Sequence, residues 1–176
     1  MLAHIINATL ERNPNLPPEA VEDIIMGCGN PEGAQGHNVG RNAAVLSNLP
    51  ITTGGTTINR YCSSGMQSIS MAASQIMAGC YDTVIAGGAE TISMMQGKQN
   101  MDNFVNERLA EKSPGIYYPM GMTAEVVAKR YNVSREAQDE YAFESQMRTA
   151  AAQQAGAYDD EIIPMETKML LMNKET

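Results

Sequence analysis

Three short apolar segments, each with glycine in or after it, constrain this chain more than any other feature. "DIIMG" from Asp23, "ITTGGTTINRY" from Ile51 and "YDTVIAGG" from Tyr81 read as strands. Helical stretches lie between them. The glycine-rich "PEGAQGHNVGRNAAVLSN" runs into a helix predicted over about 39–46. The stretch 63–78 carries apolar or small residues at Met66, Ile69, Ala73, Ile76 and Met77, the pattern of a buried helix, and Gly79 is its natural stop. Upstream, Leu2, Ile5, Ile6 and Leu10 form a helical stripe that "NPNLPPEA" ends, because proline cannot continue a helix interior. Strands alternating with helices predict a layered α/β domain with a largely parallel sheet. Such sheets gather ligands at the carboxyl ends of their strands. Gly54 and Gly55 mark either a bulge or a close backbone approach.

From Glu90 onward the character changes. Strand periodicity fades, and helices are predicted over 123–131 and 135–155. Ser134 is a good N-cap for the second, with Glu136 in its first turn and Gly156 after its end. "YDDEIIPM" reads as a last short strand. The expected division is therefore 1–89 for the α/β core and 90–176 for a helical excursion.

Composition narrows the function. A net charge of −8 and a pI of about 4.7 argue against nucleic acid, whose phosphates need a basic surface. No apolar run approaches the roughly 20 residues of a membrane span, and the pattern leads us to expect no secretory leader. Cys28, Cys62 and Cys80 are an odd set without a CxxC pair, and neither His4 nor His37 has metal-ligand spacing to them. No metal site and no disulfide framework is expected, and a reducing cytoplasm fits.

One cysteine stands apart. In "NRYCSSGMQS", Cys62 falls where a strand turns into a helix, beside Ser63, Ser64 and Gly65. Helix N-termini carry unpaired N–H groups and a positive dipole end, which favour a thiolate. A strand-to-helix turn also aims a side chain off the carboxyl edge of a sheet. Composition alone leaves a second reading open, a buried cysteine in a small-residue packing site. Cys28 and Cys80 read as packing cysteines. Ser64 is not in a Gly-x-Ser-x-Gly elbow, since Cys62 and Met66 occupy the flanking places.

These residues carry a resemblance. "NRYCSSGMQSISMAASQIMAGCYDTVIAGGAETIS" resembles the nucleophile segment of the thiolases, with Thr91 where serine is usual. "GHNVGRNAA" resembles the family's Gly-x-Asn-x-x-Arg loop, and "MGMTAEVVAKRYNVSREAQDEYAFESQ" its loop-domain signature. The resemblance implies a thiolase-like α/β/α N-terminal domain lacking its first strand, followed by a partial helical loop domain. It implies acyl-CoA C-acyltransfer of the 3-ketoacyl-CoA thiolase type, in fatty-acid β-oxidation, with Cys62 holding the acyl group as a thioester. Coenzyme A is then a substrate, no tightly bound cofactor is expected, and the complete enzyme is a homodimer or homotetramer. Short-chain biosynthetic members have His-Met-Gly where this chain has Pro119, Met120 and Gly121, so a broader or longer acyl chain is implied, with Met120 and Met122 lining its pocket.

The same comparison brings departures. Family members start with a strand in the middle of the N-terminal sheet, and this chain begins at the helix after it. Their second half supplies a histidine that activates the cysteine, and a second cysteine that acts as acid and base. The expectation is an incomplete thiolase whose isolated chain does not turn over. A 3-oxoacyl synthase of the same fold and a non-catalytic thiolase remnant are the rival readings.

Overall fold

In a computed structural model, residues 1–168 are described. They divide into two compact units, Met1–Gln99 with the segment from Ile163, and Asn100–Ile162.

The first unit is built on a sheet of three parallel strands, β1 (Asp23–Gly27), β2 (Thr56–Ile58) and β3 (Val84–Gly88), in the order β2-β1-β3. The middle place, which the family resemblance gives to a preceding strand, is held here by β1. That position suits its sequence. Ile24, Ile25 and Met26 form a continuous apolar run and are all buried, as expected of a strand covered on both faces. Alternation along the strand sends Ile24 and Met26 to one face and Ile25 to the other. Ile24 and Met26 join Ile6 and Leu10 of α1 (Leu2–Arg12), and Ala43 and Ala44 of α2 (Val39–Leu46), in one apolar cluster. Each fully buried isoleucine there contributes roughly 1.5–3 kcal/mol.

Helix α3 (Ser64–Met77) packs against β1 and β3. Its buried residues are Ser64, Ser68 and Ala72, a stripe of small side chains at intervals of four. The Ser68 hydroxyl reaches the Gly87 carbonyl at 2.8 Å. Met66, Ile69, Ile76 and Met77 are exposed, so the expectation of a buried helix is corrected. The stripe that touches the sheet is the small one, and the large apolar side chains face away from it. Gly79, with φ +72°, ends the segment in the left-handed region, as expected.

The second strand is shorter than its apolar sequence suggests. Pro50 to Thr53 form a turn instead, closed by the Thr53 N–H on the Pro50 carbonyl at 3.0 Å. The Arg41 guanidinium takes the carbonyls of Ile51, at 2.9 Å, and Thr53. The glycines that follow serve close approach rather than a bulge. A Cβ on Gly54 would lie 2.7 Å from Asp23 Oδ1, and one on Gly55 2.7 Å from Arg41 Cα. After β3 comes one helical turn, α4 (Ile92–Met95).

The second unit holds α5 (Glu107–Lys112), α6 (Met120–Tyr131) and α7 (Arg135–Gln154). Helix α6 starts three residues before its sequence pattern, directly after Pro119. Asn132 closes it in the left-handed region at φ 53°, and Ser134 then caps α7 by accepting the Ala137 N–H at 3.2 Å. Helices α6 and α7 bury no residue, and α7 carries the exposed pairs Arg135–Asp139 and Glu144–Arg148. Surface pairs of this kind are worth only a few tenths of a kcal/mol each, about 0.3–0.5. "YDDEIIPM" is not a strand: it runs through turns to 161 and then without regular structure to the end of the described residues. Three successive acidic residues, Asp159, Asp160 and Glu161, disfavour a strand, and Pro164 cannot donate to a ladder.

Candidate active site

The carboxyl ends of β1 and β3, at Gly27 and Gly88, open on one cavity of about 550 Å³, lined also by Gly29, Tyr61, Cys62, Gly65 and Glu90 among others. That is where a parallel α/β sheet collects ligands. Cys62 is exposed there, one residue before Ser63, the N-cap of α3. Ser63 makes no side-chain capping bond into the helix. Its hydroxyl turns back to the Arg60 carbonyl at 3.0 Å, while the Ser63 and Ser64 N–H groups are taken by the Arg60 and Tyr61 carbonyls at 3.2 and 3.0 Å, so backbone and not a side chain covers the start of α3.

The turn that carries Cys62 is held from both sides. Tyr61 has φ 48°, uncommon for a non-glycine residue. Ser64 is buried, and its hydroxyl donates to the Tyr61 carbonyl at 2.5 Å while accepting the Arg60 N–H at 2.8 Å. Ser64 is thus a structural tie with its hydroxyl fully engaged.

Behind the cavity lies a polar network that reading along the sequence did not find. Glu90 follows β3, and its carboxylate accepts the backbone N–H groups of Gly29, at 2.6 Å, and Asn30, at 3.3 Å. Gln35, 4% exposed, donates to Glu90 Oε1 and to the Asn30 carbonyl at 2.7 Å. Its oxygen accepts from the Thr91 N–H at 2.6 Å and the Thr91 hydroxyl at 2.7 Å. One signal for this network was present in the sequence: an acidic residue two positions after a strand that ends in two glycines. Its partners lie 55 to 61 residues away and carry no local signal.

The other sequence candidates fall in several places. Cys28 is buried, with Sγ 3.8 Å from Glu90 Oε1. Burial first, and the Glu90 charge second, push its thiol above the usual range, which suits a packing cysteine. Cys80, expected to be packed, is exposed, because the chain has already left α3 at Gly79. Met120 and Met122 lie in the first turn of α6 in the second unit, and both are exposed. His4 sits on α1 and pairs with the Pro164 carbonyl at 2.9 Å. His37 is exposed in the loop before α2, with φ 59°. Neither histidine lines the Cys62 cavity. The "GHNVGRN" motif is structural in its Asn38 and Arg41: Asn38 caps α2 through the Arg41 N–H at 3.1 Å and reaches the Gly55 carbonyl at 2.9 Å. Among the described residues, no group of three or more His, Cys, Asp or Glu could hold a metal ion, and no helix is long and apolar enough to cross a membrane.

Comparison with known proteins adds to this geometry. The family model described as "Thiolase, N-terminal domain" matches residues 1–175. A 3-ketoacyl-CoA thiolase of Bacillus subtilis (strain 168) is 51% identical over 148 residues, 83% of this chain and 37% of that protein. Another, of Psychrobacter sp. (strain PRwf-1), is 40% identical over 166 residues, 94% of this chain and 42% of that protein. An acetyl-CoA acetyltransferase of Chromobacterium violaceum is 40% identical over 176 residues, 93% of this chain and 44% of that protein. The chain spans about two-fifths of the length of the curated relatives it matches.

Proposed function

Because the chain belongs to the thiolase family, we propose that it carries the nucleophile of an acyl-CoA C-acyltransferase of the 3-ketoacyl-CoA type, and that this nucleophile is Cys62. The observation that carries the reading is the placement of an exposed thiol at the start of α3, in the cavity where β1 and β3 end. The Cys62 sulfur attacks the keto carbon of a 3-oxoacyl-CoA. The bond between that carbon and its neighbour breaks, and the electron pair leaves with the acetyl-CoA fragment, which takes up a proton. Coenzyme A then attacks the acyl thioester, releasing a shortened acyl-CoA and the free thiol. Covalent catalysis of this kind divides one difficult step into two easier ones.

The proton transfers need an acid and a base, worth about 10²–10⁴-fold each. His4 and His37 are placed for neither task, so the described residues supply the nucleophile and its frame. Met120 and Met122 contribute an apolar contact for the acyl chain. The complete enzyme is a homo-oligomer, serves fatty-acid β-oxidation and works in the cytoplasm.

The test is acylation of the 176-residue chain by a saturated acyl-CoA, a thioester exchange with no carbanion to protonate, read by mass spectrometry after peptide mapping, with Cys62→Ser as control. The expected result is an acyl group on the peptide containing Cys62 and none in the control. Acylation at another residue, or none in a chain whose Cys28 stays protected from alkylation, overturns the reading. Transfer from acyl carrier protein but not from acyl-CoA assigns the site to a synthase instead.

A further inference from the structure

We propose that Asn59 is a positioning residue for Cys62, clamping the turn on which the thiol is presented; this rests on the reading of Cys62 as the nucleophile. The Asn59 carboxamide uses both of its ends. Its Nδ2 donates to the Gly29 carbonyl at 3.0 Å, and its Oδ1 accepts the Tyr61 N–H at 2.8 Å. Gly29 is itself held by Glu90, which accepts its N–H at 2.6 Å. The Tyr61 carbonyl in turn accepts from the N–H of Ser64 at 3.0 Å and from its hydroxyl at 2.5 Å. A continuous line of hydrogen bonds therefore runs from the carboxylate after β3, through the loop after β1, to the residue before Cys62 and on to the first turn of α3.

Tyr61 is where this line is needed. It stands in the left-handed region at φ 48°, which disfavours a side chain with a Cβ. The residue is 78% exposed, so side-chain packing does not hold the backbone there. What opposes relaxation is the bond from Asn59 on one side and the two from Ser64 on the other. A released Tyr61 returns to negative φ and swings Cys62 away from the start of α3. The rate at which an exposed thiol is alkylated follows how its turn presents it, so loss of the clamp is readable as reactivity. A positioning role also predicts a specific rescue. Glycine enters the left-handed region at no steric cost, so Tyr61→Gly makes the clamp unnecessary.

The experiment is the rate of Cys62 alkylation by limiting iodoacetamide at neutral pH in the full 176-residue chain. Cys80 serves as the exposed reference and Cys28 as the buried one. Asn59→Ala is expected to slow Cys62 about tenfold relative to Cys80, the population cost of a non-glycine left-handed residue, with Cys28 still protected. Asn59→Ala combined with Tyr61→Gly is expected to restore the rate to within about twofold of the parent. An unchanged rate in Asn59→Ala overturns the proposal, and so does failure of the double variant to recover. Exposure of Cys28 in Asn59→Ala also overturns it, since Asn59 would then hold the fold rather than the turn. Acylation of the parent by a saturated acyl-CoA is scored separately, so loss of the acyltransferase reading is distinguishable from loss of the clamp.

Discussion

Two glycines at the cavity give opposite expectations for the same substitution. A Cβ on Gly27, at the end of β1, would lie 2.4 Å from the Ser64 carbonyl carbon and 2.6 Å from both the Ser64 oxygen and the Gly65 nitrogen. Optimal carbon contacts lie at about 3.5–4.0 Å, so Gly27→Ala must push the first turn of α3 back by roughly 1 Å. Backbone cannot rotate aside as a side chain can. Overpacking of this kind costs about 1–3 kcal/mol. The Ser68 hydroxyl bond to the Gly87 carbonyl, 2.8 Å long, is stretched by the same retreat and adds about 1 kcal/mol. The expected total is therefore about 2–4 kcal/mol. A Cβ on Gly65, in the first turn of α3, meets nothing within 4 Å, and alanine there stabilises the helix by roughly 0.5–1 kcal/mol. Urea unfolding followed by circular dichroism measures both. Gly27→Ala should lower the midpoint and Gly65→Ala raise it, with the slope of the transition unchanged. A Gly27→Ala midpoint at or above the parent's would refute the close packing of α3 on β1.

Two further outcomes concern titrating groups. Burial pushes the Asp23 carboxyl up, against a smaller opposing effect of the Ile24 N–H that it accepts at 2.8 Å. The folded state therefore holds the Asp23 proton more tightly than the unfolded state. Asp23 weakens the fold at neutral pH, and the deficit closes as pH falls towards about 4. Asp23→Asn should be more stable than the parent at pH 7, with the difference shrinking in urea titrations at lower pH; a constant difference would contradict this. In the second unit, Ser134→Ala should cost α7 about 1 kcal/mol, the usual value of an N-cap, seen as lost helicity on heating. The Glu136 carboxyl is held below its ordinary range by its own backbone N–H and the Ser134 hydroxyl, so NMR titration should find it moved upward in Ser134→Ala.

Much of this protein is readable from local sequence, because the devices concerned are local. Helix α2 runs Val39–Leu46 as its pattern predicts, since its cap, Asn38, bonds to an N–H three residues away. Gly79 and Ser134 end and begin helices through their own backbone and side chain. The alternation of strands and helices suffices for a parallel sheet, and hence for the edge at which Cys62 stands. Tertiary contacts decided the rest. The close approach of α3 to the sheet rests on Gly27 of the partner strand, which meets the helix backbone, and not on Gly65 of the helix itself, where an added Cβ would meet nothing. The apolar side of α3 is not its sheet-facing side, because the short distance to glycine-rich strand ends admits only Ser64, Ser68 and Ala72. Strand β2 shrank because a guanidinium from α2 took the carbonyls before it. Glu90, Gln35 and Asn59 acquire their roles from partners brought together by the sheet: Gly29 lies 61 residues from Glu90 and 30 from Asn59. A hydrogen bond between such groups leaves no periodicity in the chain, so only the folded sheet brings it into view.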